Sequence, residues 1–268
     1  MARDQAGTPA FDAWARRAGH LIASNQRLLL FPVLSAILQL VAFVPVVAVT
    51  RPAFSLDRFG QDVSFAESRV GDILGGSPRP ADAVVVACYL AAAVAIQAWL
   101  GASFIRSIGW GGLVWLPGWR PVARLAVLYA LAVAAGYALG AAPALTLVLL
   151  PFTFVVFGYA DYAVVLEDRH PWSAIRRSLE VAARTPLPSI LIFSAAFVAD
   201  VVVLGLFATP LHDETHVFVP FLLSYALINA LAAYVTDCAL IAVLLEVRGL
   251  SAPGDDRRAG SGAGPRWD

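Results

Sequence analysis

From Leu125 to Leu166 this chain carries one carboxylate, Asp161, and no basic residue; Leu28 to Thr50 carries no charge at all. A soluble domain has no use for uninterrupted apolar runs of that length. The hydrocarbon core of a bilayer needs about 20 apolar residues for each crossing helix. Composition agrees: 59% of the 268 residues are hydrophobic and 14% charged, and the mean hydropathy is +0.73. The expected fold class is all-α, a polytopic transmembrane helical bundle forming one integrated domain.

Six spans are expected, at about 28–50, 83–105, 124–140, 144–166, 187–209 and 218–247. The run from Leu125 to Leu166 is twice the length of one helix, so it must fold back on itself. Gly140-Ala-Ala-Pro143 is the credible breaker. Residues 1–27 form an N-terminal segment that is too polar and too long for a cleaved signal peptide, so the first span is expected to stay as an anchor. Residues 251–268 are rich in Gly, Pro, Ser and charge and are expected to be disordered.

Arginine sets the orientation. All 19 basic residues are Arg, a bias that, with heavy Ala usage, points to a GC-rich bacterial genome. Fifteen of them fall in segments 1–27, 106–124, 169–184 and 248–266, on one side of an even number of spans. The other four, Arg51, Arg58, Arg69 and Arg79, share one loop with five acids. The positive-inside rule then places both termini in the cytoplasm, with the protein in the inner (plasma) membrane. Net charge is zero, which gives no reason to expect nucleic acid as a partner.

Amphipathic interfacial helices are expected before spans 1, 3 and 5. Phe11, Trp14, Ala18 and Leu21 share one helical face, and Trp172, Ile175, Leu179 and Ala182 repeat the pattern. Arg16-Arg17 and Arg176-Arg177 lie opposite, facing anionic lipid headgroups in this reading. The segments break at Asn25-Gln26 and at Thr185-Pro186, while Ile108–Arg124 reads as a looser middle unit. The alternative is ordinary Trp and Arg belt anchoring. His20 and His170 ride on these elbows. The outer loop 51–82 holds one more candidate amphipathic helix, through Phe59, Val63, Ala66, Val70 and Ile73.

Asp161, Asp200 and Asp237 lie within spans, where a charge costs about 2.5–3.5 kcal/mol on insertion scales. No Arg or His accompanies them inside the spans. Each must be protonated, hydrogen-bonded to Asn229, Thr236 or a Tyr, or reached by water. They line a candidate polar path together with Asn229, or else they are polar glue between helices, with Asp161 reaching Arg176 or Arg177. Gln39 and Gln97 read as glue in the first hairpin. Ala132, Gly136 and Gly140 form a small-residue packing stripe. His212 and His216 read as a polar turn rather than a metal site. Cys88 and Cys238 read as buried small hydrophobes.

No phosphate loop, His-Glu-x-x-His, Gly-x-Ser-x-Gly or Cys-x-x-Cys pattern is present, so no catalytic site, metal or cofactor is expected. The run WARRAGHLIASNQRLLLFPVLS (Trp14 to Ser35) has an amphipathic lead-in and a Leu-rich, Phe-Pro span start. ADYAVVLEDRHPWSAIRRSLEVAART (Ala160 to Thr185) has an acid, a Pro and an Arg-Arg-Ser helix. Together they resemble the superfamily of six-span bacterial proteins that includes the membrane domain found beside glycerophosphoryl diester phosphodiesterases. The resemblance implies the architecture; the hydrolase domain has no counterpart here, so its activity is not implied.

Three functions stay open. The first is a non-enzymatic accessory or scaffold component of envelope, lipid-related or transport processes, with a membrane-protein partner or a second copy of itself. The second is a transporter or channel with a path lined by the aspartates, which requires a hydrated cavity reaching them. The third is an enzyme acting on lipid headgroups, which requires Asp161, His170 and Arg176 to converge on one pocket.

Overall fold

The computed structural model describes residues 11–50, 80–140, 152–212 and 219–248, and among them all regular structure is helical. α1 (Phe11–Ser24) buries Trp14, Ala18 and Leu21 on one face, and that face packs on the last helix. Asn25 ends it: its backbone N–H and its side-chain amide both donate to Leu21 O, at 3.1 Å each. A 3₁₀ turn (Gln26–Leu29) then redirects the chain into α2 (Leu30–Thr50).

α3 (Pro80–Trp110) packs along α2, and α4 (Trp119–Gly140) packs along α3. A helical segment at 152–157 passes through Gly158 and Tyr159 into α5 (Ala160–Leu166). α6 (Pro171–Arg184) has Pro171 at its first turn, where a missing N–H costs nothing. α7 starts at Pro186 and runs to His212, bent by 108° from α6. α8 (Val219–Arg248) packs against α1, α2 and α7.

Three described helices, over Gln26–Val46, Ala83–Trp110 and Ala226–Arg248, are long and apolar enough to cross a membrane; the bent pair Pro171–Arg184 and Pro186–Ala199 adds a fourth if it counts as one span. The protein is therefore all-helical with three to four candidate spans among the described residues.

Buried side chains concentrate at the arginine-bearing ends of the helices. Phe31, Ile105, Leu125, Tyr162 and Ile241 belong to this core. Toward the opposite ends Val41, Val84, Val133, Val198 and Leu223 are exposed. In water such surfaces would aggregate; acyl chains cover them without penalty.

The break between 157 and Ala160 has a specific cause. Ser178 Oγ donates to Val155 O at 2.8 Å and accepts from Tyr159 N at 3.1 Å. The hydroxyl has inserted itself where the helix would run its own 159-to-155 bond, and it satisfies both groups. Gly158 lets this happen: a Cβ there would lie 2.5 Å from the Phe193 ring.

Several expectations change. No interfacial helix precedes α4: α3 runs unbroken to Trp110, and residues 111–118 form a loop. Gly111 and Gly118 adopt φ of +70° and +88°, conformations open to glycine; Gly111 follows the end of α3 and Gly118 precedes the start of α4. In α6 Pro171, Ala174, Ser178 and Val181 are buried against protein, while Trp172 and Leu179, on the face expected to lie in lipid, are exposed. The small Ala174 and Ser178 let α6 close on the broken segment, which turns the larger residues outward. Cys88 is exposed, while Cys238 is buried. The expected outer-loop helix, the 140–143 turn beyond Gly140, His216 and the tail 251–268 lie outside the described residues. So do the surroundings of Gly136 and Gly140 and the side chains of Asp200 and His212.

Candidate functional site

A cavity of about 330 Å³ lies between α2, α3 and α8. Its α8 wall follows from the sequence. Ala226, Asn229, Ala230, Ala233 and Asp237 fall on one helical face, and the three alanines leave the space that larger residues would fill. α2 supplies Phe31, Ser35, Gln39 and Phe43, and α3 supplies Tyr89, Gln97, Gly101 and Phe104.

The polar lining is ordered. Ser35 Oγ donates to Gln97 Oε1 at 2.8 Å, and Gln39 Nε2 donates to the same oxygen at 2.9 Å and to Ser35 Oγ at 3.0 Å. These bonds hold α2 to α3, which is the glue role read from the sequence for Gln39 and Gln97. Among the described residues, Gln39 Oε1 and Gln97 Nε2 have no further partner in the cluster.

Asp237 forms the charged end of the cavity. Tyr162, from α5, donates its hydroxyl to Asp237 Oδ1 at 2.7 Å. Asp161, beside Tyr162, accepts the Tyr162 backbone N–H at 2.8 Å. The Tyr129 hydroxyl of α4 lies against Gly101 in the α3 wall, 3.0 Å from where a Cβ there would sit. Below this group Phe104 meets Tyr234 edge-on, ring centroids 6.0 Å apart. The Tyr234 hydroxyl bonds Ile22 O of α1 at 2.9 Å.

Of the sequence-assigned path residues, Asp237 and Asn229 line the cavity and Asp161 stands behind Asp237. Asp161 does not meet Arg177, whose guanidinium instead bonds Glu167 at 3.3 Å and Glu180 at 3.2 Å. Glu167 also pairs with Arg169 and with Arg248, the latter at 3.7 Å. Arg17, assigned to headgroups, forms a 2.9 Å ion pair with Glu246 on α8. Arg16 and Arg176 are exposed on their helices, as is His170. Asp161 is turned into the bundle interior while His170 and Arg176 face outward, so no shared pocket of these three forms among the described residues.

Sequence reading missed Tyr162, Tyr129 and Ser35. Tyr162 follows Asp161 directly, and Ser35 precedes Gln39 by one helical turn; both are signals once the helix phase is fixed. Among the described residues no group of three or more His, Cys, Asp or Glu could hold a metal ion.

Comparison with family models, with curated proteins and with solved structures gives no match. The functional argument therefore stands on the cavity.

Proposed function

We propose that this protein is a transporter or channel of a bacterial inner membrane, binding a small solute in the cavity between α2, α3 and α8. The reading includes six spans, both termini in the cytoplasm, and α1 and α6 as interfacial elbows. It also includes kinship with the six-span superfamily that Trp14 to Ser35 and Ala160 to Thr185 resemble. The 108° turn between α6 and α7 supports the elbow geometry, because a helix lying along the membrane plane must turn by about that much to enter it.

One observation carries the functional reading: Asp237 borders open volume together with Asn229, Gln39 and Gln97. A purely structural carboxylate would be packed dry against its partners, since interiors hold few voids larger than water. A volume of about 330 Å³ instead falls at the small end of ligand sites, roughly 300–1,000 Å³. A scaffold or accessory subunit has no need of such a space.

The test is solute permeation. Proteoliposomes of the full chain are mixed with hyperosmotic urea, glycerol or isobutylammonium chloride, and vesicle reswelling is followed by light scattering. Faster reswelling than protein-free vesicles for at least one solute, abolished by Ala233→Leu, is the expected result. Identical rates with and without protein for all three would count against transport.

A further inference from the structure

Resting on the reading of this cavity as a solute site, we infer that its ligand is a small organic cation, a protonated amine or quaternary ammonium with a compact apolar body. Charge gives the first argument. Among the described residues of the lining, Asp237 is the one acid, and no Arg, Lys or His joins it. An anion entering this volume would meet negative charge with no counter-ion.

Geometry gives the second. Tyr162 donates to Asp237 Oδ1 at 2.7 Å, and among the described residues no hydrogen bond engages Oδ2 of this cavity-lining residue. The Tyr162 hydroxyl orients the carboxylate without neutralising it, unlike an arginine partner.

The rest of the wall selects against a bare inorganic ion. Phe31, Phe43, Tyr89 and Phe104 all line the cavity, and Phe43 and Tyr89 sit edge to face with centroids 4.9 Å apart. Aromatic faces attract ammonium groups and also cover hydrocarbon. A metal ion would leave most of about 330 Å³ empty and would want a shell of oxygens that the rings do not offer. The polar cluster completes the match: Gln39 Oε1 can accept an N–H from the ligand.

The wild-type full chain in lipid nanodiscs is titrated calorimetrically with three probes of one shape: isobutylammonium chloride, isobutyramide and sodium isobutyrate. Empty nanodiscs supply the background. Saturable binding of the ammonium is expected, with the amide and the carboxylate weaker by about tenfold or more. Asp237→Asn should erase that preference and Asp237→Glu should retain it. Equal binding of the amide or the carboxylate overturns the cation assignment, as does unchanged ammonium affinity in Asp237→Asn. If Asp237→Asn does not fold, the three-probe comparison on the wild type decides. The two failures are distinguishable: binding without charge preference that Ala233→Leu removes leaves the solute site standing. No binding of any probe sinks the solute site and the cation assignment together.

Discussion

The Tyr162 hydroxyl donates to Asp237 Oδ1 at 2.7 Å across 75 residues of sequence, tying α5 to α8 at the charged end of the cavity. Removing the hydroxyl leaves a half-buried carboxylate oxygen without its donor, and that costs more than the bond itself was worth. Tyr162→Phe should destabilise the protein by about 1–3 kcal/mol, read as earlier thermal unfolding in detergent. Asp237→Asn keeps an acceptor for Tyr162 and should cost less. The opposite ranking would show that the pair does not hold the helices as described.

The wedge formed by Ser178 gives an independent prediction. Its hydroxyl serves Val155 O and Tyr159 N at once, so Ser178→Ala strands two buried backbone groups. A loss of about 1–3 kcal/mol is expected, partly recovered by Ser178→Thr. Equal stability of the Ala variant and the wild type in denaturation would contradict the wedge.

Gly158→Ala tests the same break from its steric side. The new methyl would lie 2.4 Å from Phe154 O and 2.5 Å from the Phe193 ring, and a backbone carbonyl cannot move aside cheaply. Overpacking of this kind costs about 1–3 kcal/mol. Phe193→Ala relieves only the ring contact, so the double variant should remain less stable than Phe193→Ala alone.

At the arginine-bearing end the acids differ in importance. Glu167 is 8% exposed and meets Arg169, Arg177 and Arg248, whereas Asp168 is 79% exposed and meets Arg124. Glu167→Gln takes the carboxylate from the well-covered Arg248 and leaves Arg177 with Glu180 alone, and should cost on the order of 2 kcal/mol. Asp168→Asn should cost less than about 1 kcal/mol. Thermal unfolding at low and high salt separates them, with the Asp168 contribution being the more easily screened.

Much of this was legible in the chain. Charge-free runs announce the helices, and Asn25 and Thr185 mark where α1 and α6 stop. Asp237 stands out because a carboxylate is rare inside a span. The cavity was harder to foresee. Hydropathy does not separate an alanine face that packs tightly from one that leaves space, so Ala226, Ala230 and Ala233 carry no distinct signal until α3 is set opposite them. Phase was the other obstacle. On α6 Trp172 and Leu179 mark the face turned away from protein, but nothing in the pattern singles out Ala174 and Ser178 as the residues that make the contact with the broken segment. Ile108–Arg124 reads as a looser interfacial unit, yet Gly111 and Gly118 take positive φ values and residues 111–118 form a loop.

Solvent access to the cavity wall tests the central claim most directly. Ala233→Cys is introduced with Cys88→Ala and Cys238→Ala, and intact right-side-out vesicles are exposed to a small, charged, membrane-impermeant thiol reagent. Labelling at position 233, slowed when isobutylammonium is present, is the result the account predicts. A thiol at 233 that reacts only after the protein is unfolded would mean that the space beside Asp237 is sealed and dry, and the proposed solute site would be lost.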